Sequence, residues 1–259
     1  MAARAIWKGV VRIRDARVPV KLYAAVQDRG VRFRLLERAT KQPVVQSLVH
    51  PETGAVVPFD ATRRGFVTDD GELVLLAAEE LERLAPEPSR DIDLVQFVPS
   101  AAIDHRWYVR PYYLGPDGQP ERYAALAAAL EQTGLEGVAH WTMRKKAYVG
   151  ALRAYRGYPM LVTLRPSEEV VSVEQVEAPK GKPLDDRQLA MARQLLAMLE
   201  APFEPDAYRD EYRERVEQLI DTKRRGKEPA RKAAPRRKRD APDLERALRA
   251  SLRAGGQRA

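Results

Sequence analysis

A dense run of basic side chains, residues 223–239, is the part of this sequence whose residue types most clearly define a chemistry. It holds ten Lys/Arg and one acidic residue, Glu228, in seventeen positions. Because the whole chain has a net charge of +8 and residues 240–259 contribute +1, residues 1–222 are left with −2. A cationic segment on a near-neutral body is typical of proteins that lie along a polyanion, most commonly a nucleic acid. A solvated tail that only improves solubility would have the same composition, so the body must decide between the two interpretations.

Residues with the spacing of a catalytic or metal site are not found in the body. The three histidines, His50, His105 and His140, do not stand at ligand spacing, and the chain has no cysteine. P-loop, dinucleotide-binding, nucleophile-elbow and HExxH patterns are absent from the sequence. We therefore predict no catalytic residues, no metal and no cofactor. Carboxylates brought together only in the folded chain, as in a nuclease, remain compatible with the sequence.

Composition predicts an intracellular globular protein. Hydrophobic residues make up 44% of the chain, and no apolar run approaches the roughly 18 to 20 residues that a membrane span needs. The first residues lack the apolar core of a secretion signal. The absence of cysteine suits a reducing cytoplasm.

The elements that must position the basic side chains are mainly strands. Short β-rich runs predict strands at 6–13, 18–26, 31–36, 44–49, 55–59, 65–68, 72–76, 92–98, 107–114, 138–146, 147–155 and 160–164. Helices are predicted at 78–84 and at 121–132, the latter with an apolar stripe of Tyr123, Leu126, Ala127 and Leu130. Many strands with few helices indicate a barrel or a curled sheet.

The C-terminal part has a different, helical pattern. Apolar residues keep helical spacing from Asp185 until Pro202 interrupts them, and a second helix is predicted over 205–222. Beyond it, the basic run is too polar to bury a core and is expected to be disordered. Leu244, Leu248 and Leu252 predict a short amphipathic helix within the last residues.

Five segments together resemble the bacterial Ku family, the DNA-end-binding proteins of non-homologous end joining. They are RAIWKGVV…VPVKLYAA (Arg4 to Ala25), LAPEPSRDIDLVQFVPSAAID (Leu84 to Asp104), YYLGPDG (Tyr112 to Gly118), QLAMARQLLAML (Gln188 to Leu199) and FEPDAYRDEYRERVEQLIDTKRRGK (Phe203 to Lys227). Their order and spacing also match that family over about 225 residues.

The resemblance implies a mainly β fold with some α: a Ku-type β-barrel core with dimerising arms that form a ring, then C-terminal helices and a disordered basic tail. It implies a ring core at 1–184, a helical arm and ligase-interacting segment at 185–222, and a tail at 223–259. The implied function is a cytoplasmic, nucleoid-associated homodimer that binds double-stranded DNA ends without sequence specificity and recruits an ATP-dependent ligase of the ligase D type. It is not an enzyme, and it has no membrane partner.

Candidate DNA-binding residues are basic side chains on the expected ring wall and in the tail. On the wall, Arg32 and Arg34 are expected opposite a buried face containing Phe33, and the others are Arg144, Lys145, Lys146 and Arg153. In the tail they are Lys223, Arg224, Arg225, Lys227, Arg231, Lys232, Arg236, Arg237, Lys238 and Arg239. Ordinary solvated strand faces would look the same at the wall positions.

Two further groups of residues each have two possible roles. Tyr208, Tyr212, Val216, Leu219 and Ile220 form an apolar stripe that we assign to ligase binding, although it would also suit packing on the body or on the other subunit. The aromatic residues Trp107, Tyr108, Tyr112 and Tyr113 suit barrel or dimer packing better than a base-stacking platform, because a ring threaded by a duplex meets no unpaired base.

One departure from the family pattern bears on metal binding. Many bacterial members carry a CxxC pair where this chain has His50-Pro51-Glu52-Thr53, so the zinc site suggested by that motif cannot form here. Two other functions stay compatible with the sequence. One is a lysine-dependent lyase acting at abasic sites near DNA ends, and the other is a protein that coats nucleic acid through its tail alone.

Overall fold

Seven strands close into a barrel in the computed structural model of the chain, which describes residues 3–178, 183 and 185–226. The strands of the described residues, in chain order, are β1 (Trp7–Ile13), β2 (Ala16–Ala24), β3 (Arg64–Val67), β4 (Leu73–Leu76), β5 (Asp91–Pro99), β6 (Tyr108–Pro116), β7 (Leu135–Met143), β8 (Lys146–Tyr155) and β9 (Tyr158–Leu164). The barrel order is β1-β2-β6-β9-β8-β7-β5, and the parallel pairing of β1 with β5 closes it. The predicted barrel is confirmed.

The barrel interior is filled because each strand alternates inward apolar side chains with outward ones. Fully buried residues come from strands all around the barrel, namely Val11, Val20, Leu22, Ile92, Leu114, Leu152 and Leu161. Helix α2 (Pro120–Thr133) packs against this core through Tyr123, Leu126 and Leu130. The stripe predicted for this helix is the face that is buried.

The strands β3 and β4 form a separate antiparallel hairpin, followed by the short helix α1 (Ala78–Arg83). Its turn depends on Gly71, which has a φ of +87° and so adopts a backbone conformation that side-chain-bearing residues avoid. Both strands agree with the predicted hairpin.

The strand predicted over 31–36 is wrong. Only Leu36 makes a β-type contact, an isolated bridge to Pro43, and Phe33 is 67% exposed instead of facing a core. Alternation alone does not make a strand, because a strand also needs a partner and a surface to cover. The strands predicted at 44–49 and 55–59 likewise reduce to one bridge, Val49 with Val56.

The chain divides into two units, and each is described by itself. The first comprises residues 1–29 and 34–175 and contains the barrel; the second comprises residues 30–33 and 176–259. In the second unit, α3 (Asp186–Leu199) begins where predicted. The side chain of Asp185 accepts a hydrogen bond from the Gln188 backbone N–H at 2.7 Å, a typical helix N-cap.

The last helix begins later than predicted. Helix α4 spans Glu211–Arg224, and Pro205–Ala207 forms only a single 3-10 turn before it. The Asp210 carboxylate accepts from the Arg213 N–H at 3.0 Å and so sets the start of the helix. The basic run beyond residue 226 and the predicted helix around Leu248 lie outside the described residues.

Candidate nucleic-acid interface

The turn between β7 and β8 presents two of the predicted DNA-binding residues. Arg144 and Lys145 have φ values of +53° and +62°, so a two-residue turn joins the strands with both residues in the left-handed region. Side-chain-bearing residues enter this region at a cost of about 1 kcal/mol or more each. Both side chains are exposed, and Lys145 Nζ lies 3.0 Å from a carboxylate oxygen of Glu82.

Arg144 and Lys145 line an open groove of about 330 Å³, here called the basic groove. The third cation of its wall is Arg90, one of whose guanidinium nitrogens donates to the Lys8 carbonyl at 3.4 Å. The remaining lining residues are uncharged, namely Trp7, Pro86, Pro88, Ser89 and Thr142. Since Glu82, outside the lining, neutralises one of these three cations by pairing with Lys145, the groove keeps an excess of positive charge, which attracts anions.

Arg90 was missed by sequence reasoning as a candidate contact. It lies in the loop before β5, within the PEPSR run that supported the family resemblance, but no periodicity marks it as a surface residue. Only the fold places this loop beside the β7–β8 turn, more than fifty residues further along the chain.

Three other predicted wall residues are also exposed. Lys146 begins β8, and within the described part of the barrel unit it has no ion-pair or hydrogen-bond partner on its side chain. Arg32 and Arg34 are exposed as well, but they lie in irregular backbone and not on a strand face opposite a buried Phe33.

Arg153 has a structural environment that sequence reasoning did not find. One of its guanidinium nitrogens lies 3.2 Å from Oε1 of Glu136, whose side chain is only 1% exposed. The Tyr108 hydroxyl donates to Oε2 of the same carboxylate at 2.6 Å. Burial and this carboxylate raise the pKa of Tyr108 to about 12. A buried carboxylate is stable only when its charge is paired and hydrogen-bonded. Arg153 therefore stabilises the fold by pairing with Glu136, whether or not it also contacts DNA.

The aromatic residues of β6 point in different directions. Tyr112 is buried in the core, whereas Tyr113 is exposed and stacks on Tyr155 with ring centroids 6.5 Å apart. Trp107 and Tyr108 are half-buried. They therefore do not form the single platform that base stacking along β6 would need.

The described beginning of the basic tail lies at the end of α4. Lys223 and Arg224 occupy the last helical turn and Arg225 caps it, where cations interact favourably with the helix dipole. The other predicted tail residues, Lys227 and those from Arg231 to Arg239, lie outside the described residues.

The predicted ligase-binding stripe is divided between buried and exposed residues. Val216 is 9% exposed, whereas Tyr212 is 68% exposed. Tyr208 lies before α4, also exposed, and stacks on Phe203 at 5.3 Å. Leu219 and Ile220 are each 39% exposed. Four of the five stripe residues are therefore accessible at the surface, and the two tyrosines are the most exposed of them.

Residues 3–178, 183 and 185–226 contain no group of three or more His, Cys, Asp and Glu side chains that could hold a metal ion. His50 accepts a backbone hydrogen bond from Glu52 through Nδ1 at 3.3 Å, within the turn that stands where the family has its CxxC motif. Over the same described residues, no helix is long and apolar enough to cross a membrane.

Comparisons with known proteins agree on one family. Residues 12–191 match the family model described as the Ku70/Ku80 beta-barrel domain. The chain is 36% identical to non-homologous end joining protein Ku 2 of Geotalea uraniireducens over 89% of this chain and 90% of that protein. It is also 36% identical to the Ku protein of Heliobacterium modesticaldum, over 87% and 83% of the two chains. Identity to the Ku protein of Mycobacterium tuberculosis is 31%, over 86% and 84%.

Proposed function

This chain belongs to the Ku family, and on that premise we propose that it binds the ends of double-stranded DNA in non-homologous end joining, the repair of double-strand breaks. The observation that carries the proposal for this particular chain is the basic groove on the barrel unit. The relatives of this chain are named as end-joining proteins. The basic groove supplies a surface with which such a protein can bind DNA.

The chemistry of the basic groove fits phosphate rather than bases. Arg90, Arg144 and Lys145 offer charged donors and no acceptor. Contacts to phosphate fix the position of a protein on DNA but carry no sequence information. Binding is therefore expected to be independent of sequence.

The backbone of the β7–β8 turn supports a functional role for its cations. Asn-Gly or Asp-Gly would adopt this turn at less cost than Arg144-Lys145. The turn thus keeps two cations at a position where other residues would make the fold more stable. This supports a functional role for the charges of Arg144 and Lys145.

The active form in this proposal is a homodimer whose arms close a ring around the duplex. Support comes from the β3–β4 hairpin, which carries apolar side chains exposed on both faces. Phe66, Val67, Leu73 and Leu75 are each 60% exposed or more. A two-stranded hairpin is marginally stable alone, and exposed apolar patches of this kind mark interaction surfaces. A second copy of the chain would cover them.

The C-terminal unit, in this proposal, recruits an ATP-dependent ligase of the ligase D type, and the basic tail adds affinity for DNA. Tyr208 and Tyr212 offer exposed anchors of the kind that dominate protein interfaces. The protein thus acts by binding and recruitment, and the bond-forming chemistry belongs to the ligase.

The decisive experiment compares linear duplex DNA with a covalently closed minicircle of the same sequence. The full chain should bind the linear form and fail to load on the circle. The double variant Arg144→Ala, Lys145→Ala should weaken linear binding and lower the slope of log K against log salt by up to about 2, at about 0.9 per phosphate. Arg122→Ala, an exposed cation on α2 outside the groove, is the matched control.

Equal binding to circle and linear DNA would overturn the ring and favour a coating protein. Unchanged affinity and salt slope in the double variant would show that the basic groove is not the DNA surface.

A further inference from the structure

A second groove on the barrel unit has a different chemistry, because four of its eight lining residues are tyrosines. It measures about 530 Å³ and is lined by Tyr23, Tyr113, Tyr155 and Tyr158, together with Ala3, Leu114, Gly115 and Arg156. We call it the tyrosine groove, after its four tyrosines. Tyr158 is 58% exposed, Tyr155 44% and Tyr113 36%, so their rings are open to solvent.

The strand register explains why these four rings meet. Tyr23 of β2 is directly paired with Tyr113 of β6, and Tyr155 is paired with Tyr158 across the β8–β9 hairpin. Gly115 lets the Tyr23 ring approach β6 closely, because a Cβ atom at that position would be 2.9 Å from Tyr23 Cε2. The groove therefore depends on a close approach that only glycine allows.

The contact between Tyr113 and Tyr155 is looser than that of an aromatic pair in the barrel core. The Tyr113 and Tyr155 centroids are 6.5 Å apart and their planes are inclined by 30°. Trp141 and Tyr148, which pack with the barrel core, are 5.4 Å apart and inclined by 16°. A centroid separation of 6.5 Å is within the range of about 4.5 to 7 Å that aromatic pairs usually show, so a base would stack on the solvent-exposed surface of these rings and not between them.

The charges around the tyrosine groove favour a polyanion. The Arg156 guanidinium lies over the Tyr155 ring, 5.5 Å from its centroid. Lys21, two residues before Tyr23 on the same face of β2, pairs across to Gly115. Lys21 and Lys8 share a single carboxylate, that of Asp117, at 3.0 and 3.1 Å, which leaves a net positive charge. No acidic residue lines the groove.

We propose that the tyrosine groove binds the single-stranded overhang of a DNA end, with bases stacked on the tyrosines and phosphates near Arg156 and Lys21. Aromatic rings that stack bases beside cations that follow the backbone are the usual elements of single-strand binding. The proposal rests on the proposed binding of DNA ends and adds to it a preference for ends with an unpaired strand. The basic groove holds the duplex, and the tyrosine groove holds the strand that extends beyond it.

The test uses the full chain and two DNA molecules, each a duplex closed at one end by a hairpin loop. One has a blunt free end; the other carries an oligothymidine overhang of about ten nucleotides, within the site size of single-strand binding folds. A 2-aminopurine base in the overhang reports stacking through its fluorescence. Affinities are compared for the parent, for Tyr155→Leu with Tyr158→Leu, and for the ring-preserving control Tyr155→Phe with Tyr158→Phe.

The parent should bind the overhang end more tightly than the blunt end and change the 2-aminopurine signal. In the double leucine variant, the ratio of overhang affinity to blunt-end affinity should fall at least about fivefold, which is the lower limit expected for the loss of one stacked base. Its affinity for the blunt end should not change. The phenylalanine control should keep both. As a second route, Gly115→Ala should displace the Tyr23 ring and reduce the preference with the other tyrosines intact.

Other results would overturn the proposal. If the parent bound both ends equally and the fluorescence did not change, the tyrosine groove would not bind the overhang. The proposed function, binding of DNA ends, would still stand in that case. Failure to bind either linear DNA would instead defeat the proposed function. If the leucine variant changed the oligomeric state, or lost ligase stimulation while keeping the overhang preference, the tyrosine groove would be a protein interface.

Discussion

At the scale of single residues, the environment of Glu136 separates structural from functional cations. Its carboxylate is 1% exposed, and it is held between the guanidinium of Arg153 and the hydroxyl of Tyr108. An isolated buried charge is strongly unfavourable, so the two partners are needed for the fold itself. Arg144, in contrast, is an exposed residue of a tight turn. The sequence made both Arg153 and Arg144 candidate DNA contacts. Their surroundings distinguish a structural role for Arg153 from an exposed position for Arg144.

We expect Arg153→Ala to destabilise the barrel. Removing one partner of a buried pair costs about 3 to 5 kcal/mol, and because Arg153 itself is 41% exposed we expect about 2 to 3 kcal/mol. Lys145→Ala, which removes the cation of an exposed pair with Glu82, should cost less than about 1 kcal/mol. Denaturant unfolding followed by tryptophan fluorescence measures both. Equal, small losses in the two variants would show that Glu136 does not depend on Arg153.

The raised pKa of Tyr108 predicts a pH dependence of stability. Its folded value of about 12 lies above the ordinary value of 10.0, so between these two pH values the unfolded state releases this proton first. The free energy of unfolding should therefore fall as pH rises from about 10 to 12, by up to about 2 to 3 kcal/mol from this group. Tyr108→Phe should remove that part of the slope, measured by denaturant unfolding at several pH values. Parallel curves for parent and variant would contradict the assignment.

At the scale of elements, the β3–β4 hairpin is the part of the barrel unit least able to stand alone. Phe66 lies on one of its faces and Leu75 on the other, and both are exposed. Burial of such a side chain contributes about 1.5 to 3 kcal/mol. The hairpin is therefore where dimerisation is most easily tested.

We expect Phe66→Glu with Leu75→Lys to weaken dimerisation by more than about 100-fold, because two buried apolar contacts of about 1.5 to 3 kcal/mol each would be replaced by charges. Light scattering over a concentration series measures the change in mass. Glu72→Lys in the hairpin turn is the matched control, and it should remain dimeric. A double variant that stays dimeric would place the subunit interface elsewhere.

Helix α4 and the residues before it allow ligase recruitment to be separated from folding. Tyr208→Ala with Tyr212→Ala removes two exposed rings, each worth about 1 to 3 kcal/mol in an interface, and should abolish stimulation of the cognate ligase with end binding intact. Val216→Ala is the structural comparison, since that residue is buried and its truncation should instead lower the free energy of unfolding of the protein. Loss of ligase stimulation and end binding together in the tyrosine variant would show that these rings pack on the protein itself.

At the scale of the whole molecule, charge is distributed between a near-neutral body and the basic tail. The ten cations of residues 223–239 are the largest concentration of positive charge in the sequence. The contribution of this tail should be almost entirely electrostatic and should weaken with salt.

Replacing Arg236, Arg237, Lys238 and Arg239 with alanine should lower the slope of log K against log salt by about 3 to 4, at about 0.9 per phosphate. Linear duplex titrated at several salt concentrations measures it. Preference for linear over closed DNA should persist in this variant, because in the proposed function a free end is required by the ring and not by the tail. An unchanged slope would show that the tail does not contact DNA.

The sequence alone determined the features of the fold that depend on residues close together in the chain. Alternating strands, the Gly71 turn and the buried stripe of α2 agree with the structure, because each depends on neighbours within a few residues. The family was also evident from five segments in order. Local pattern misled at two places: the alternation at 31–36 found no partner strand, and α4 begins after its N-cap residue Asp210 and not at residue 205.

Only the tertiary structure decided which side chains meet. Arg90 joins Arg144 across more than fifty residues, Arg153 is drawn to a buried Glu136, and Tyr23 faces Tyr155 and Tyr158 in one groove. None of these contacts has a periodicity, because barrel closure and strand register set them, and register depends on the whole sheet. Both proposed DNA surfaces are contacts of this kind. A sequence can therefore identify a cationic, end-joining protein before it can show which of its arginines are available to DNA.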